Sequence, residues 1–332
     1  MHRSRTFASL FSGIGGLDYG LHARMTCTLM CEVAEHPRAI LRRRFPDTPI
    51  KEDVRDVTGT DLAGADVLAA GFPCTDTSLS APNRKGLHGD RSGLFFEIPR
   101  LIDEAGPEWV VIENPEGVFT SNDGRDWLTV TRALGNRGYG WAYRVVDGNH
   151  LGTPQRRRRI LLVAHRGGDP AVPWSVLDDP GPSVEVPAAP LLGDEQGEGG
   201  PGLGRARGAD GRELTVWRKG ARAQKKIELG GWESWLRDDK GNTLTCFDVG
   251  EGFGRQTHII ADDGRLRVPT ITEWERLSGF PDGWTDVPGV PISARQKALG
   301  NCVHAGTGEW LARRLVAKMD AMDAEGRVAV PA

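Results

Sequence analysis

The chain has 332 residues, with 42 Lys and Arg against 45 Asp and Glu, a net charge of −3 and 39% hydrophobic residues. That composition is ordinary for a soluble globular protein and suggests two domains. It excludes a disordered chain, and no apolar run approaches the ~20 residues of a membrane span.

In chain order, apolar runs predict strands over 6–10, 27–31, 66–70, 109–112 and 160–164. Helical patterns fill 16–25, 37–45, 95–105 and 126–136, and later 272–279 and 306–319. The alternation argues for an α/β fold: a mainly parallel sheet with helices on both faces, joined to a smaller irregular domain. Between about 167 and 264 the chain is rich in Gly, Pro, Asp and Arg and shows no long amphipathic helix, although Trp217, Trp232, Trp235 and Phe247 favour some packed core. The expected division is 1–170 with 293–332 as one domain and 171–292 as the other.

The amino-terminal segment does not read as a signal peptide, because Gly13, Gly15, Gly16 and Asp18 interrupt its apolar residues. Five scattered cysteines suit reduced thiols in a cytoplasm and lack metal-site spacing, so no metal is expected. The near-neutral charge hides an asymmetry. Residues 178–201 carry six acidic and no basic side chains, whereas 203–226 carry eight basic against two acidic. The second stretch is either a solvated surface or a surface that meets a polyanion.

Several strand ends carry residues with chemical potential. Phe11-Ser12-Gly13-Ile14-Gly15-Gly16 lies between the first strand and first helix, where glycines admit close backbone approach to a ligand. A dinucleotide fingerprint needs a third glycine at 18, where Asp18 stands, so a cofactor with a nucleoside and a carboxylate stays open. Glu32 follows the second strand, as an acid gripping ribose hydroxyls does in nucleotide-binding sheets. The run over 66–70 ends in Gly71-Phe72-Pro73-Cys74. Cys74 is either a small buried hydrophobe or a nucleophile on a strand-end loop. Glu113, in Glu113-Asn114-Pro115, is either a helix cap or an acid aimed into the cleft of Cys74. Gln155 precedes four arginines that enter an apolar strand; if Arg159 begins that strand, alternation places Arg157 on its face, both aimed at an anion.

The ordered set FSGIGG, GFPC, ENP, QRRRR, RVPTITEWERLSGFP (267–281) and GNCV (300–303) resembles the C5-cytosine DNA methyltransferases of stand-alone bacterial or phage type. The match covers nearly the whole chain outside the middle third. Some positions depart from the family pattern: Thr75-Asp76-Thr77-Ser78 where Gln-x-Phe-Ser is common, Pro115 for valine, Ile271 for proline and Cys302 for serine. The resemblance implies a base-flipping methyl transfer from S-adenosylmethionine, leaving S-adenosylhomocysteine, to C5 of cytosine in a short sequence of double-stranded DNA. Cys74 is then the nucleophile at C6, Glu113 the acid at N3, and Arg157 and Arg159 steady the base and the carboxylate. Phe11 stacks on adenine, Glu32 holds the ribose, Asp53 meets the adenine amino group, and Gly13, Gly15, Gly16, Gly71, Pro73 and Asn301 complete the cofactor site. DNA contacts fall to Ser78, Gln155, Arg218, Lys219, Arg222, Thr243 and Leu244, the last two in a Thr-Leu element. The resemblance also implies a restriction-modification setting with a cognate restriction endonuclease acting separately. A monomer is expected because one bound duplex and one cofactor satisfy the mechanism, and the scattered cysteines suit a cytoplasm.

The rival on the same scaffold is a tRNA cytosine-C5 methyltransferase, echoed incompletely by Cys246-Phe247-Asp248. A non-catalytic DNA-binding protein and a nicotinamide-dependent oxidoreductase are further alternatives.

Overall fold

The computed structural model describes residues 4–73, 87, 92–151, 153, 155, 157–178, 215–219, 235–238, 258–262, 265–267 and 269–328. The chain forms two compact units. One comprises Met1–Val146, Arg158–Gly181 and Thr307–Ala332, and the other Asp147–Arg157 with Pro182–Gly306.

The first unit is built on a seven-stranded sheet: β1 (Thr6–Leu10), β2 (Thr26–Cys31), β3 (Ile50–Lys51), β4 (Val67–Ala70), β5 (Trp109–Pro115), β6 (Tyr139–Asp147) and β7 (Arg158–Arg166), in the order β3-β2-β1-β4-β5-β7-β6. Pairing is parallel from β3 through β5, and β7 joins β5 antiparallel. Continuous apolar runs such as Val67–Ala70 form the central strands because both sheet faces are covered. One face buries Ala8, Leu10, Leu68, Ala70, Val110 and Ile112 with Ile98, Leu101 and Ile102 of α3 (Glu97–Ala105) and Val130 and Leu134 of α4 (Arg125–Gly135). The intervening residues Phe7, Val67, Ala69, Val111 and Val163 are equally buried.

Helices α1 (Gly16–His22) and α2 (Glu35–Arg44) follow β1 and β2, and α5 (Ala171–Leu177) follows β7. At Gly20 of α1 a side chain would collide with the backbone of Gly308 and Glu309, so α1 and the carboxyl-terminal helix α8 (Ala305–Val328) meet at backbone distance. The expected helices and strands are present with shifted ends. In this unit, two strands and one α-helix lie outside the expectations: β3, with two residues, β6, whose run is broken by Gly140 and Arg144, and α5.

In the second unit, β8 (Thr215–Lys219), β9 (Trp235–Asp238), β10 (His258–Asp262) and β11 (Arg265–Arg267) form an antiparallel sheet ordered β11-β10-β8-β9. Two helices follow, α6 (Ile271–Leu277) and α7 (Ile292–Asn301). Thr270 caps α6, its hydroxyl accepting from the Glu273 N–H while the Glu273 carboxylate accepts from Thr270 N–H at 2.7 Å. Buried Glu275 accepts from the N–H groups of Gly283 (2.6 Å) and Thr285 (2.7 Å) and from the Arg295 guanidinium (3.2 Å), tying α6 to α7. No helix among the described residues is long and apolar enough to cross a membrane.

Gly20→Ala is expected to destabilise the chain by about 1–3 kcal/mol in urea unfolding, the usual cost of overpacking. Gly135→Ala, where a Cβ meets nothing within 4 Å, is expected to stay within about 1 kcal/mol of the parent. Equal effects at the two sites would contradict the close α1–α8 approach.

Candidate active site

Chain order reverses between β1 and β4, and in an open α/β sheet such a switch point opens a crevice beyond the carboxyl ends of the parallel strands. The residues following β1, β2, β3 and β4 are Phe11, Glu32, Asp53 (two after Lys51) and Gly71. Phe11 (φ 59°), Gly13 (φ 58°) and Gly15 (φ 83°) are left-handed. A left-handed phenylalanine is strained. Its neighbours hold it: Ser12 N–H donates to the Cys31 carbonyl at 3.0 Å, and the half-buried ring packs on the core.

The turn is closed by Glu32, whose carboxylate accepts from Gly13 N–H and from Ala34 N–H, both at 2.8 Å. Burial pushes this carboxyl upward, and the amides together with the nearby Arg38 guanidinium oppose the shift. Each oxygen retains a lone pair, so the group can accept from a vicinal diol. Asp53 is held down to about 2 by hydrogen bonds from the Arg55 side chain and N–H. A nucleoside bearing an amino group fits this set: acceptors at Glu32 and Asp53, a half-buried aromatic ring at Phe11, and open space beside the Gly13 backbone.

On the other side of the switch point, β5 runs through Glu113 to Pro115, so the carboxylate lies within the strand rather than after it. Pro115 faces Arg159 in the β5–β7 register, and Arg159 Nε stands 3.0 Å from Glu113 Oε1. Both side chains are mostly buried, which strengthens the pair over a surface ion pair. Glu113 Oε2 lies 3.2 Å from where a Cβ on Gly71 would stand, which keeps that position small. Asn114 Nδ2 donates to the Phe72 carbonyl at 3.0 Å, fixing the backbone two residues before Cys74. Neither this role of Asn114 nor that of buried Asp126, which accepts from Leu87 N–H at 3.2 Å, is visible in a spacing pattern. Pro73 is half-buried. Cys74 and Ser78 lie outside the described residues, as do Arg222, Thr243 and Leu244.

The arginine run divides. The strand begins at Arg158, whose exposed side chain pairs with Glu116 at 2.9 Å, and Arg157 precedes it. Arg157 belongs to the second unit and is buried. Its guanidinium donates to the carbonyls of Gly300 (3.1 Å) and Cys302, and its N–H donates to Asp147 Oδ1 at 2.8 Å. Alternation therefore does not bring Arg157 and Arg159 to one anion; they have different partners. Gln155 is fully buried with neither amide atom hydrogen-bonded to a described residue, and Asn301 is exposed at the end of α7. Arg218 and Lys219 lie in β8, opposite Leu236 and Trp235 of β9.

His304, beside Arg157, was not singled out by the sequence. It is buried against the backbones of Gly148, Gly279 and Gly306, and Nδ1 accepts from Gly306 N–H at 3.1 Å. Burial, and secondarily the Arg157 charge, push its pKa down to about 3. Because the folded state refuses a proton that the unfolded chain takes up near 6.5, the stability this neutral ring confers is complete above 6.5 and is lost as pH falls towards 3. Unfolding free energy measured from about pH 7 to 5 is expected to drop more steeply in the parent than in His304→Gln, by up to about 1.4 kcal/mol per pH unit. Parallel curves would contradict the neutral assignment.

Comparison with known proteins agrees with this geometry. Residues 5–189 match the family described as C-5 cytosine-specific DNA methylase. The Type II methyltransferase M2.BsuMI of Bacillus subtilis (strain 168) is 30% identical over 317 residues, covering 92% of this chain and 74% of the relative. M.BsuFI of Bacillus subtilis is 31% identical over 329 residues, covering 96% and 75%. Among solved structures, the Dnmt2 methyltransferase of S. pombe shares the fold with a TM-score of 0.63 at 16% identity, over 96% of this chain and 99% of that one. With strand-end acids on a doubly wound sheet and a family match over more than half its length, the chain belongs to the C-5 cytosine-specific DNA methylases and is a DNA (cytosine-5)-methyltransferase.

Proposed function

We propose that this enzyme transfers a methyl group from S-adenosylmethionine to C5 of a flipped-out cytosine in one short sequence of double-stranded DNA. The observation that carries the reading is the Glu113–Arg159 pair, built across the β5–β7 register at the strand ends that also carry Glu32 and Gly71. When bound, the cofactor supplies an electrophilic methyl group. Phe11, Glu32 and Asp53 hold its nucleoside, with Gly13, Gly15, Gly16, Gly71 and Pro73 as backbone around it and Asn301 towards its amino-acid end.

C5 of cytosine is a weak nucleophile. Cys74, as thiolate, adds to C6, and the electron pair displaced from the C5–C6 bond makes C5 nucleophilic. Glu113 donates a proton at N3, so the ring does not carry the negative charge. Arg159 orients that carboxyl group and steadies the base, while Arg157 holds the 300–302 turn next to Asn301. Once C5 is methylated, its proton passes to solvent, and the C5–H electron pair re-forms the C5–C6 double bond and expels the Cys74 thiolate. The N3 proton returns to Glu113, and the aromatic ring is restored. Reaching C5 requires base flipping, which costs a few kcal/mol. Duplex binding falls to the middle region, with 171–292 as the target-recognition domain. Arg218, Lys219 and Arg222 meet phosphates there, and Thr243 and Leu244 belong to the base-reading element. Ser78 completes the DNA contacts, whereas Gln155, expected among them, is fully buried and has no exposed surface to meet DNA. The Type II relatives support a restriction-modification setting with a separately acting endonuclease, and a monomer in the cytoplasm satisfies the chemistry.

The test is base-resolution bisulfite sequencing of plasmid DNA from a methylation-free host. The parent chain is expected to protect cytosine in one short context, and Cys74→Ala to protect none. Glu113→Gln is expected to lower kcat by about 10²–10⁴, as for loss of a general acid. Methylation of tRNA but not of DNA by the purified parent would overturn the DNA assignment.

A further inference from the structure

Glu32 cannot hold a ribose unless the chain around it is rigid, and one side chain outside the family motifs does that work. Arg38 is the fourth residue of α2 and is buried, and its guanidinium turns back over the start of its own helix. Nη1 donates to the carbonyl of Glu32 at 3.2 Å and to that of Val33. Nη2 pairs with Glu52 Oε2 at 3.2 Å, next to Asp53. A single guanidinium therefore ties the backbone after β2 to the segment after β3, the two places that carry the acidic residues of the cofactor site. Val33, held by the same group, is 66% exposed beside Glu32.

We propose that Arg38 is a positioning residue of the cofactor site: it locks the Glu32–Val33 main chain and joins it to Glu52, so that Glu32 meets the ribose in a preset geometry. The inference rests on the S-adenosylmethionine reading given above. Its charge matters as well as its shape. Glu32 interacts with Asp18 on α1, Cys31 on β2 and Arg38 on α2, and Cys31 in turn with Lys51 and Asp53. Asp18 is an acid that disfavours a further negative charge. Arg38 is the cation that opposes the burial-driven rise of the Glu32 carboxyl. Without it, protonation of Glu32 moves to higher pH, and a protonated acid loses acceptor capacity for the diol.

The experiment is isothermal titration of the full-length chain with S-adenosylhomocysteine, which binds without reacting, for the parent, Arg38→Met, Arg38→Lys and Glu52→Gln. Arg38→Met is expected to raise Kd about tenfold near pH 7.5 and further towards pH 6, while kcat at saturating S-adenosylmethionine stays within about twofold. Arg38→Lys keeps the charge but not the two-carbonyl fork, so it is expected to weaken binding less and to keep the parent's pH dependence. Glu52→Gln, which weakens the tie to β3 but leaves both carbonyl bonds in place, is expected to raise Kd by less than Arg38→Met does. Parent-like Kd and pH dependence in folded Arg38→Met would overturn the proposal. Should that variant not fold, a parent-like Kd in Arg38→Lys would overturn it equally. A parent chain that binds neither cofactor form would instead remove the cofactor reading itself, an outcome recognisable because all four proteins would then fail alike.

Discussion

The geometry of this enzyme depends on one reversal of strand direction. Strands β1 to β5 run parallel, so their functional residues gather at their carboxyl ends. A further parallel strand would deliver its own carboxyl end there, and nothing from its start. Because β7 is antiparallel, its first residues arrive at that same end, and Arg159 meets Glu113 across the sheet. The pair needs no long reach, since the register sets it. Two further contacts extend that order into the next loop. Gly71 leaves room for Glu113, and Asn114 grips the Phe72 carbonyl. The approach to Cys74 thus starts from backbone fixed by β5.

The same crevice concentrates negative charge. Burial lifts Asp18 to about 6, against the stabilising effect of a hydrogen bond from Ser9, and burial likewise raises Glu32. Acids in such surroundings are disfavoured as anions, and backbone amides and Arg38 offset part of that cost. The neighbouring thiols respond in the same direction. Burial beside acidic groups pushes Cys31 to about 12 and raises Cys27 too, so both stay protonated and unreactive.

How much of this was legible follows from how each residue acts. Strands such as Val67–Ala70 and the run 160–164 announce themselves because burial on both faces leaves no polar position in them. The edge strand β6, with Gly140 and Arg144, gives no such run, and β3 is too short to show a pattern. In the site, Phe11, Glu32 and Glu113 were legible because each stands at the end of an apolar run. Arg38, Asn114 and Asp126 were not, because they act on backbone carbonyls and N–H groups that any sequence supplies. His304 lacked a signal for a related reason: it packs against three glycines, which carry no side-chain signature of the contact.

The arginine run shows where pattern reading reaches its limit. Period-two alternation is a property of residues already in a strand, and β7 begins at Arg158. Arg157, one residue earlier, is free of that constraint and turns to the carbonyls of Gly300 and Cys302. Exposed Arg158 takes half-buried Glu116, and Arg159 takes Glu113. Three consecutive identical residues thus meet main-chain oxygens, a half-buried acid and a mostly buried acid. A planar fork of five donors can serve all three, whereas a lysine ammonium at 157 would be a compact charge needing hydration that a buried site denies it. The identity of the side chain is therefore set by the most demanding of these environments, the buried carbonyl pair, and the composition of the run says nothing of which position that is.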